Sequence, residues 1–286
     1  MKRMCGSLAL FMILTISSIA SQERGAFAPL GVGARPTAMG GAFSALADDL
    51  QATYWNPAGL VQLSRPEVST THTQLFGLGV NFDHLAYGQK LGDWSFAFSN
   101  QTLDASAAFE TFAYREQTSA LSVARKIRNY ALGVNVKLYK LQGGNESLSD
   151  REEGLGLDLG CLIPVKDKLQ VGIVCKDLFS KLAGQLQIEE QARKSQTELG
   201  PDLTLGLAYL RERSTWAVDF SELITNPEFK LGVEYAVASN LKVRAGYKPG
   251  SLSVGLGIAS GKFIFDYAYM THELKDEQRL SVGLSF

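Results

Sequence analysis

The sequence predicts an all-β fold: a fourteen-stranded antiparallel transmembrane β-barrel with a small N-terminal plug in its lumen. Three observations point there. Apolar residues alternate with small or polar ones in short segments from Glu67 to the end, the period-2 signature of a two-faced strand. Short and longer connections take turns between those segments, as in an up-and-down barrel. The chain ends on Phe286 after an alternating strand, and a terminal Phe in that setting looks like the signal read by the outer-membrane insertion machinery.

The first residues stand apart from the fold. Lys2 and Arg3 precede the apolar run Leu8-Ala9-Leu10-Phe11-Met12-Ile13-Leu14 and the small residues Ser17-Ser18-Ile19-Ala20-Ser21. A charged start, a short apolar core and a small-residue end describe a secretory signal peptide, here residues 1–21. The apolar run falls short of the about 18 to 20 residues of a spanning helix. Cys5 lies at the start of that run and not after it, which argues against a lipoprotein anchor. No later stretch is long and apolar enough to span as a helix, so a mature chain that enters a membrane must do so as a closed barrel.

The plug is assigned to residues 22–66 and the barrel to 67–286. The strands are expected near 67–75, 82–90, 93–101, 118–127, 129–140, 152–163, 168–178, 200–210, 214–221, 228–238, 240–248, 251–260, 262–271 and 277–286. In the clearest, Leu132, Val134, Val136 and Leu138 face one way and Gly133, Asn135, Lys137 and Tyr139 the other. Connections such as Leu91-Gly92 and Arg211-Glu212-Arg213 are short, whereas longer loops are expected near 102–117, 141–151 and 179–199. An even strand number puts both ends of the barrel on the short-turn side, the periplasm of a bacterial outer membrane. Trp94, Tyr209, Trp216, Tyr235 and Phe286 fall towards the short turns, and Phe220, Phe229, Tyr247 and Tyr269 towards the loops. Two aromatic girdles suit two membrane interfaces. A soluble exported β-sandwich also alternates. The segment length, the small or polar opposite faces and the terminal Phe favour the membrane.

Residues 26–66 do not alternate. Gly31-Val32-Gly33-Ala34-Arg35-Pro36 reads as loop and 42–51 as a short helix. Asn56-Pro57-Ala58-Gly59-Leu60 reads as a helix start, with Asn56 as cap and Pro57 at the first helical position. The small, apolar character of Ala38, Met39, Gly40, Gly41, Ala42, Phe43 and Ala45 suits close packing inside a lumen too wide for its own side chains to fill. The stretch Gly31 to Asp49, with Ala34, Arg35, Met39, Gly40, Gly41, Asp48 and Asp49, followed by Tyr54-Trp55-Asn56-Pro57-Ala58-Gly59-Leu60, resembles the N-terminal signature of the PorV/PorQ family, within the FadL-like superfamily of outer-membrane barrels. The resemblance covers about residues 30–61. It implies a fourteen-stranded barrel with an N-terminal plug.

Chemistry-bearing motifs are absent: no P-loop, G-x-S-x-G, H-E-x-x-H or C-x-x-C, and no combination of nucleophile, base and orienting group, so an enzyme is not expected. No cofactor or metal is expected. Gly154-x-Gly156-x-x-x-Gly160 has the wrong spacing for a dinucleotide fingerprint and reads as small lumen-facing residues. His72 and His84 flank a hairpin centred near Leu78 and read as a cross-strand polar pair. Cys161 and Cys175 are offset across a hairpin and read as free thiols on apolar faces. The expected lumen carries both signs: Lys137, Asp158, Lys176, Asp219, Lys230, Glu234, Lys242, Arg244, Asp266 and Arg279. Among these, Glu234, Lys242 and Arg244 form a candidate contact for lumen ligand or cargo.

The balance of 28 Lys+Arg against 29 Asp+Glu offers no basic field for nucleic acid. The partner common to both functional readings is outer-membrane lipid. The PorV/PorQ resemblance implies a role in protein secretion with type IX components and exported cargo. The wider FadL-like resemblance implies passive transport of hydrophobic small molecules such as fatty acids.

Overall fold

The computed structural model describes residues 26–286 apart from 76, 78, 110, 189 and 190. The expected signal peptide lies outside the described residues. Among the described residues fifteen strands follow one another. They are β1 (Glu67–Leu75), β2 (Val80–Leu91), β3 (Trp94–Asp104), β4 (Ala113–Ile127), β5 (Tyr130–Gly144), β6 (Leu148–Lys166), β7 (Leu169–Ile188) and β8 (Gln191–Thr197). After these come β9 (Asp202–Leu210), β10 (Ser214–Ser221), β11 (Glu228–Ala238), β12 (Leu241–Lys248), β13 (Ser251–Ser260), β14 (Phe263–Met270) and β15 (Glu277–Ser285). No helix among the described residues is long and apolar enough to cross a membrane.

Consecutive strands pair antiparallel except β8 and β9: β8 pairs with β7 alone, and β7 pairs also with β9. Eight residue pairs between β1 and β15, from Glu67 opposite Ser285 to Gln74 opposite Gln278, close the sheet. The result is a fourteen-stranded barrel with β8 as one extra strand outside the ring. Closure leaves no edge of the ring unpaired.

Burial along the strands inverts the soluble pattern. Leu132, Val134, Val136 and Leu138 are exposed, while Asn135, Lys137 and Tyr139 are buried. The outer belt recurs on β13 as Leu252, Val254, Leu256 and Ile258 and on β14 as Phe263 and Phe265. Trp94, Tyr209, Trp216, Tyr235 and Phe286 stand exposed at the short-turn end, and Phe220, Phe229 and Tyr247 towards the other. Tyr269 is half-buried and donates to Asp276.

The expected long loops are mostly strand. β3 and β4 are separated by 105–112, β5 and β6 by 145–147, and the 179–199 stretch holds the end of β7 and all of β8. Above Phe179 the alternation continues with its faces exchanged. Lys140, Gln142, Arg151, Glu153, Lys181 and Gln185 point out, while Tyr139, Leu141 and Leu182 are buried inside with Phe27 and Leu199. Outward apolar residues therefore end at the top of the belt. At the step between β8 and β9, Ser180 Oγ donates to the Leu199 carbonyl at 2.6 Å and accepts from its N–H at 2.7 Å.

Between Ala26 and Pro66 the chain forms helix α1 (Ala34–Ala38), helix α2 (Ala52–Trp55) and a 3-10 helix over Pro57–Gln62. The helix expected at 42–51 is instead a series of turns. Asn56 does cap the 3-10 helix, its Oδ1 accepting from Ala58 N–H at 3.1 Å with Pro57 next to it.

Candidate functional site

The candidate site is the barrel interior, where residues 31–63 meet inward-facing side chains from around the ring. Asp219 on β10 accepts from the N–H groups of Phe43 and Ser44 at 3.0 and 2.9 Å. Ser253 on β13 accepts from Gly40 N–H at 3.1 Å, and Ser281 on β15 from Ala34 N–H at 2.8 Å. Arg279 donates to the carbonyls of Gly31 and Leu30 at 2.6 and 2.8 Å. Asn135 on β5 donates to Thr53, Gln170 on β7 to Ala45 and Lys90 on β2 to Val61, each carbonyl lying 2.8 to 2.9 Å away. A segment without strand or long-helix ladders thus has its backbone groups met by the wall, as buried amides require.

The wall makes room with glycine. A Cβ on Gly160 would lie 2.2 Å from Asn56 Oδ1, on Gly172 2.4 Å from the Ser44 carbonyl, and on Gly232 2.5 Å from the Met39 carbonyl. Gly40 is constrained twice. Its φ is +65°, and a Cβ there would lie 2.5 Å from the Tyr247 amide nitrogen. Gly41 also has positive φ and packs beside Trp55 and Lys230. Gly59 faces the Ala47 carbonyl, a Cβ lying 1.9 Å from it. Recurrent inward glycines on facing strands were the sequence signal for this close approach, legible only once the strands are known to form one ring.

Arg35 ties the segment to the wall near the short-turn mouth. Its guanidinium meets Asp48 at 2.5 Å, Asp49 at 3.0 Å and Glu234 on β11 at 2.9 Å. Glu234 also binds Arg244 at 2.7 Å and Lys242 at 2.9 Å, and Arg244 continues to Asp266 at 2.6 Å. The candidate trio Glu234, Lys242 and Arg244 is therefore brought together, with its charges engaged by one another and by the segment. Burial pushes Asp49 up to about 6, partly offset by Arg35. Packing also desolvates the exposed Asp48, but Arg35 outweighs that and holds its carboxyl below the usual range.

Trp55 Nε1 donates to the Val32 carbonyl at 2.8 Å, and its ring meets Phe43 edge-on at 6.3 Å. Lys176 Nζ lies 3.6 Å from the centre of the Tyr54 ring. A cavity of about 70 Å³ opens here, lined by Phe27, Tyr54, Phe82, Glu116, Tyr139 and Lys176 among others. Beside it Lys137 pairs with Asp158 at 2.6 Å and Asp177 at 2.5 Å. Two further cavities between segment and wall measure about 40 Å³ each, one beside Trp55 and Arg279, the other beside Asp49 and Glu67. Outside the lumen, Phe109 and Phe112, with ring centres 6.4 Å apart, line an open groove of about 650 Å³ at the loop end.

The histidine pair expected from the β1–β2 hairpin does not form. The register places His72 opposite Asp83 and His84 opposite Thr71. The turn centre lies half a residue from Leu78, and that slip sends the two imidazoles to opposite faces. His72 bonds Asp83 at 2.6 Å on the outside, while His84 is buried inside. Cys161 and Cys175 are free, and register sets Cys161 opposite Ile173 and Cys175 opposite Leu159. Among the described residues no group of three or more His, Cys, Asp or Glu is placed to hold a metal ion.

These features define a closed antiparallel fourteen-stranded β-barrel whose lumen holds its own N-terminal segment, a FadL-like fold. The toluene transporter TbuX of Ralstonia pickettii superposes with a TM-score of 0.64 at 14% identity, over 90% of this chain and 98% of its own. The Pseudomonas putida toluene transporter TodX gives 0.64 at 14% identity, over 90% and 99%. A FadL homologue of Pseudomonas aeruginosa gives 0.63 at 10% identity, over 86% and 95%. In sequence, residues 17–145 match UPF0164, an uncharacterised protein family. A UPF0164 protein of Treponema pallidum (strain Nichols) is 27% identical over 161 residues, covering 46% of this chain and 40% of that relative. The match thus spans well under two thirds of the relative's length.

Proposed function

We propose that this protein is a bacterial outer-membrane barrel that passes hydrophobic small molecules, with residues 31–63 as a plug. The observation that carries the reading is the filled lumen: the segment is tied to strands around the ring, and three cavities beside it measure about 40 to 70 Å³. A path through the barrel then requires the segment to shift. The solved barrels of the same fold include two toluene transporters, which supports the substrate class. The groove at Phe109 and Phe112 supports it too, since exposed aromatic concavities favour apolar ligands. Glu234, Lys242 and Arg244 then serve to hold the plug through Arg35. The test is uptake of labelled toluene and a long-chain fatty acid by outer-membrane vesicles carrying the protein. Uptake no faster than in vesicles without it, for both compounds, would refute the reading.

A second reading, participation in protein export, is supported by the resemblance of residues 30–61 to the PorV/PorQ signature. Gentle detergent purification followed by mass spectrometry separates the two. Secretion components or exported cargo favour export, and a bound apolar small molecule favours transport.

A further inference from the structure

On the loop side, one level of the outer surface carries a run of cations across adjacent strands. Register sets Arg115 on β4 opposite Gln142 on β5, Gln142 opposite Arg151 on β6, Arg151 opposite Gln185 on β7, and Gln185 opposite Lys194 on β8. All five side chains are exposed and share the outer face. Neighbouring strands are about 4.8 Å apart, so the run spans about 19 Å. Its glutamines add donors and no negative charge. Nearer the belt stand Lys181 and the pair Lys140–Glu153 at 3.2 Å. On the outer face of β4 to β8 the described acid is Glu153, and Asp104 on β3 ends the run opposite Arg115.

The height of this run identifies what it meets. Leu138 and Leu155 form the last apolar level, 52% and 51% exposed. Arg151 and Gln142 follow four residues beyond, about 13 Å along a strand, or about 10 Å vertically at a tilt of about 40°. Lipid headgroups begin at the belt's edge and extend about 5 to 8 Å past it. Arg and Lys lean toward the interface by several ångströms through their flexible stems, which puts guanidinium and ammonium at phosphate level. The rest of the rim differs: β1 and β2 present the His72–Asp83 pair, and the β14–β15 hairpin presents Tyr269 with Asp276.

We infer that the Arg115–Arg151–Lys194 run is a site for the phosphate headgroups of anionic lipid in the loop-side leaflet. It orients one flank of the barrel, β4 to β8, toward a shell of negative lipid. Guanidinium groups suit this ligand, because each engages two phosphate oxygens at once. The inference rests on the reading that the apolar belt lies in a bilayer.

The test uses purified full-length protein in micelles with equimolar phosphatidylglycerol and phosphatidylcholine, and native mass spectrometry to count retained lipid. Wild type should retain phosphatidylglycerol at least about tenfold over phosphatidylcholine. The R115Q/R151Q/K194Q variant should lose that tenfold preference and retain the two lipids about equally, and R115K/R151K should keep most of the preference. Equal retention by wild type and the glutamine variant, or no preference in wild type, overturns the inference. So does an acidic protein, instead of lipid, released by the same substitutions. Flotation of both proteins with pure phosphatidylcholine vesicles is measured in parallel. Floating without lipid preference sinks the lipid site alone, whereas failure of wild type to float sinks the membrane-barrel reading with it.

Discussion

Asn56 joins three parts of the molecule through one side chain. Its Nδ2 donates to the Ser44 carbonyl at 2.8 Å and the Cys161 carbonyl at 3.1 Å, and its Oδ1 caps Ala58 at 3.1 Å. Asn56→Ala should weaken docking of the segment by about 1 to 3 kcal/mol, because buried partners lose bonds that water cannot replace. Faster cleavage of residues 26–66 by an added protease, with the barrel intact, is the expected readout. Gly40 and Gly92 have similar left-handed φ, +65° and +61°, but nothing lies within 4 Å of a Cβ on Gly92. Gly92→Ala should cost about 1 to 2 kcal/mol from backbone conformation alone. Gly40→Ala should cost about 1 to 3 kcal/mol more, from overpacking against β12. Denaturant midpoints in the same detergent compare the two. Partial burial pushes the Asp49 carboxyl up to about 6, above an ordinary carboxyl. Its contribution to docking is present below about pH 4 and lost as pH rises through about 6. Asp49→Asn should flatten the dependence of protease protection on pH across that window; an unchanged profile would remove Asp49 from the mechanism.

At the scale of the element, the interior segment is short helices and turns held by the wall. Its caps were legible: Asn56 and Pro57 announce the 3-10 helix. The helix expected over 42–51 was not formed: Ala47 sits at φ +35°, and the Ala45 carbonyl that a helix would use is taken by Gln170 on a distant strand, with Ser44 and Leu46 carbonyls taken by Asn56 and Gln62. No local pattern records such a partner. Deleting residues 30–61 should leave a barrel that inserts and conducts, with currents in planar bilayers well above those of the full-length protein. A deletion that inserts and still blocks ions would show that the segment is not the plug. Strand ends follow the same lesson. β10 to β15 match the alternation within a few residues, while β7 runs on to Ile188 beyond the point where the outward face turns polar.

At the scale of the whole molecule, β15 is the closing piece, pairing with β1 on one side and β14 on the other. Removing residues 277–286 would expose two strand edges in lipid, each unpaired group costing several kcal/mol. The truncated chain should lose the heat-resistant, fast-migrating band that a closed barrel gives on unboiled gels; a persisting band would mean that β14 and β1 can close the ring themselves. The extension of β4 to β8 above the belt makes the barrel one-sided. That asymmetry sets the cation run over one flank.

The sequence by itself determined the fold class, the direction of the fourteen ring strands and which faces of those strands point inward; β8 lay in a stretch expected to be loop. Period-2 alternation is a property of neighbouring residues, and the exposed apolar belt carries it on almost every strand. Tertiary structure decided what depends on registration between distant strands. A half-residue shift in one turn separated His72 from His84. The ring brought Arg35 to Glu234, and Arg244 to both Glu234 and Asp266, turning scattered lumen charges into one paired network. It also aligned Arg115, Arg151 and Lys194, which lie far apart along the chain, at one height. Pairing energies act across strands, and no periodicity along one strand carries them.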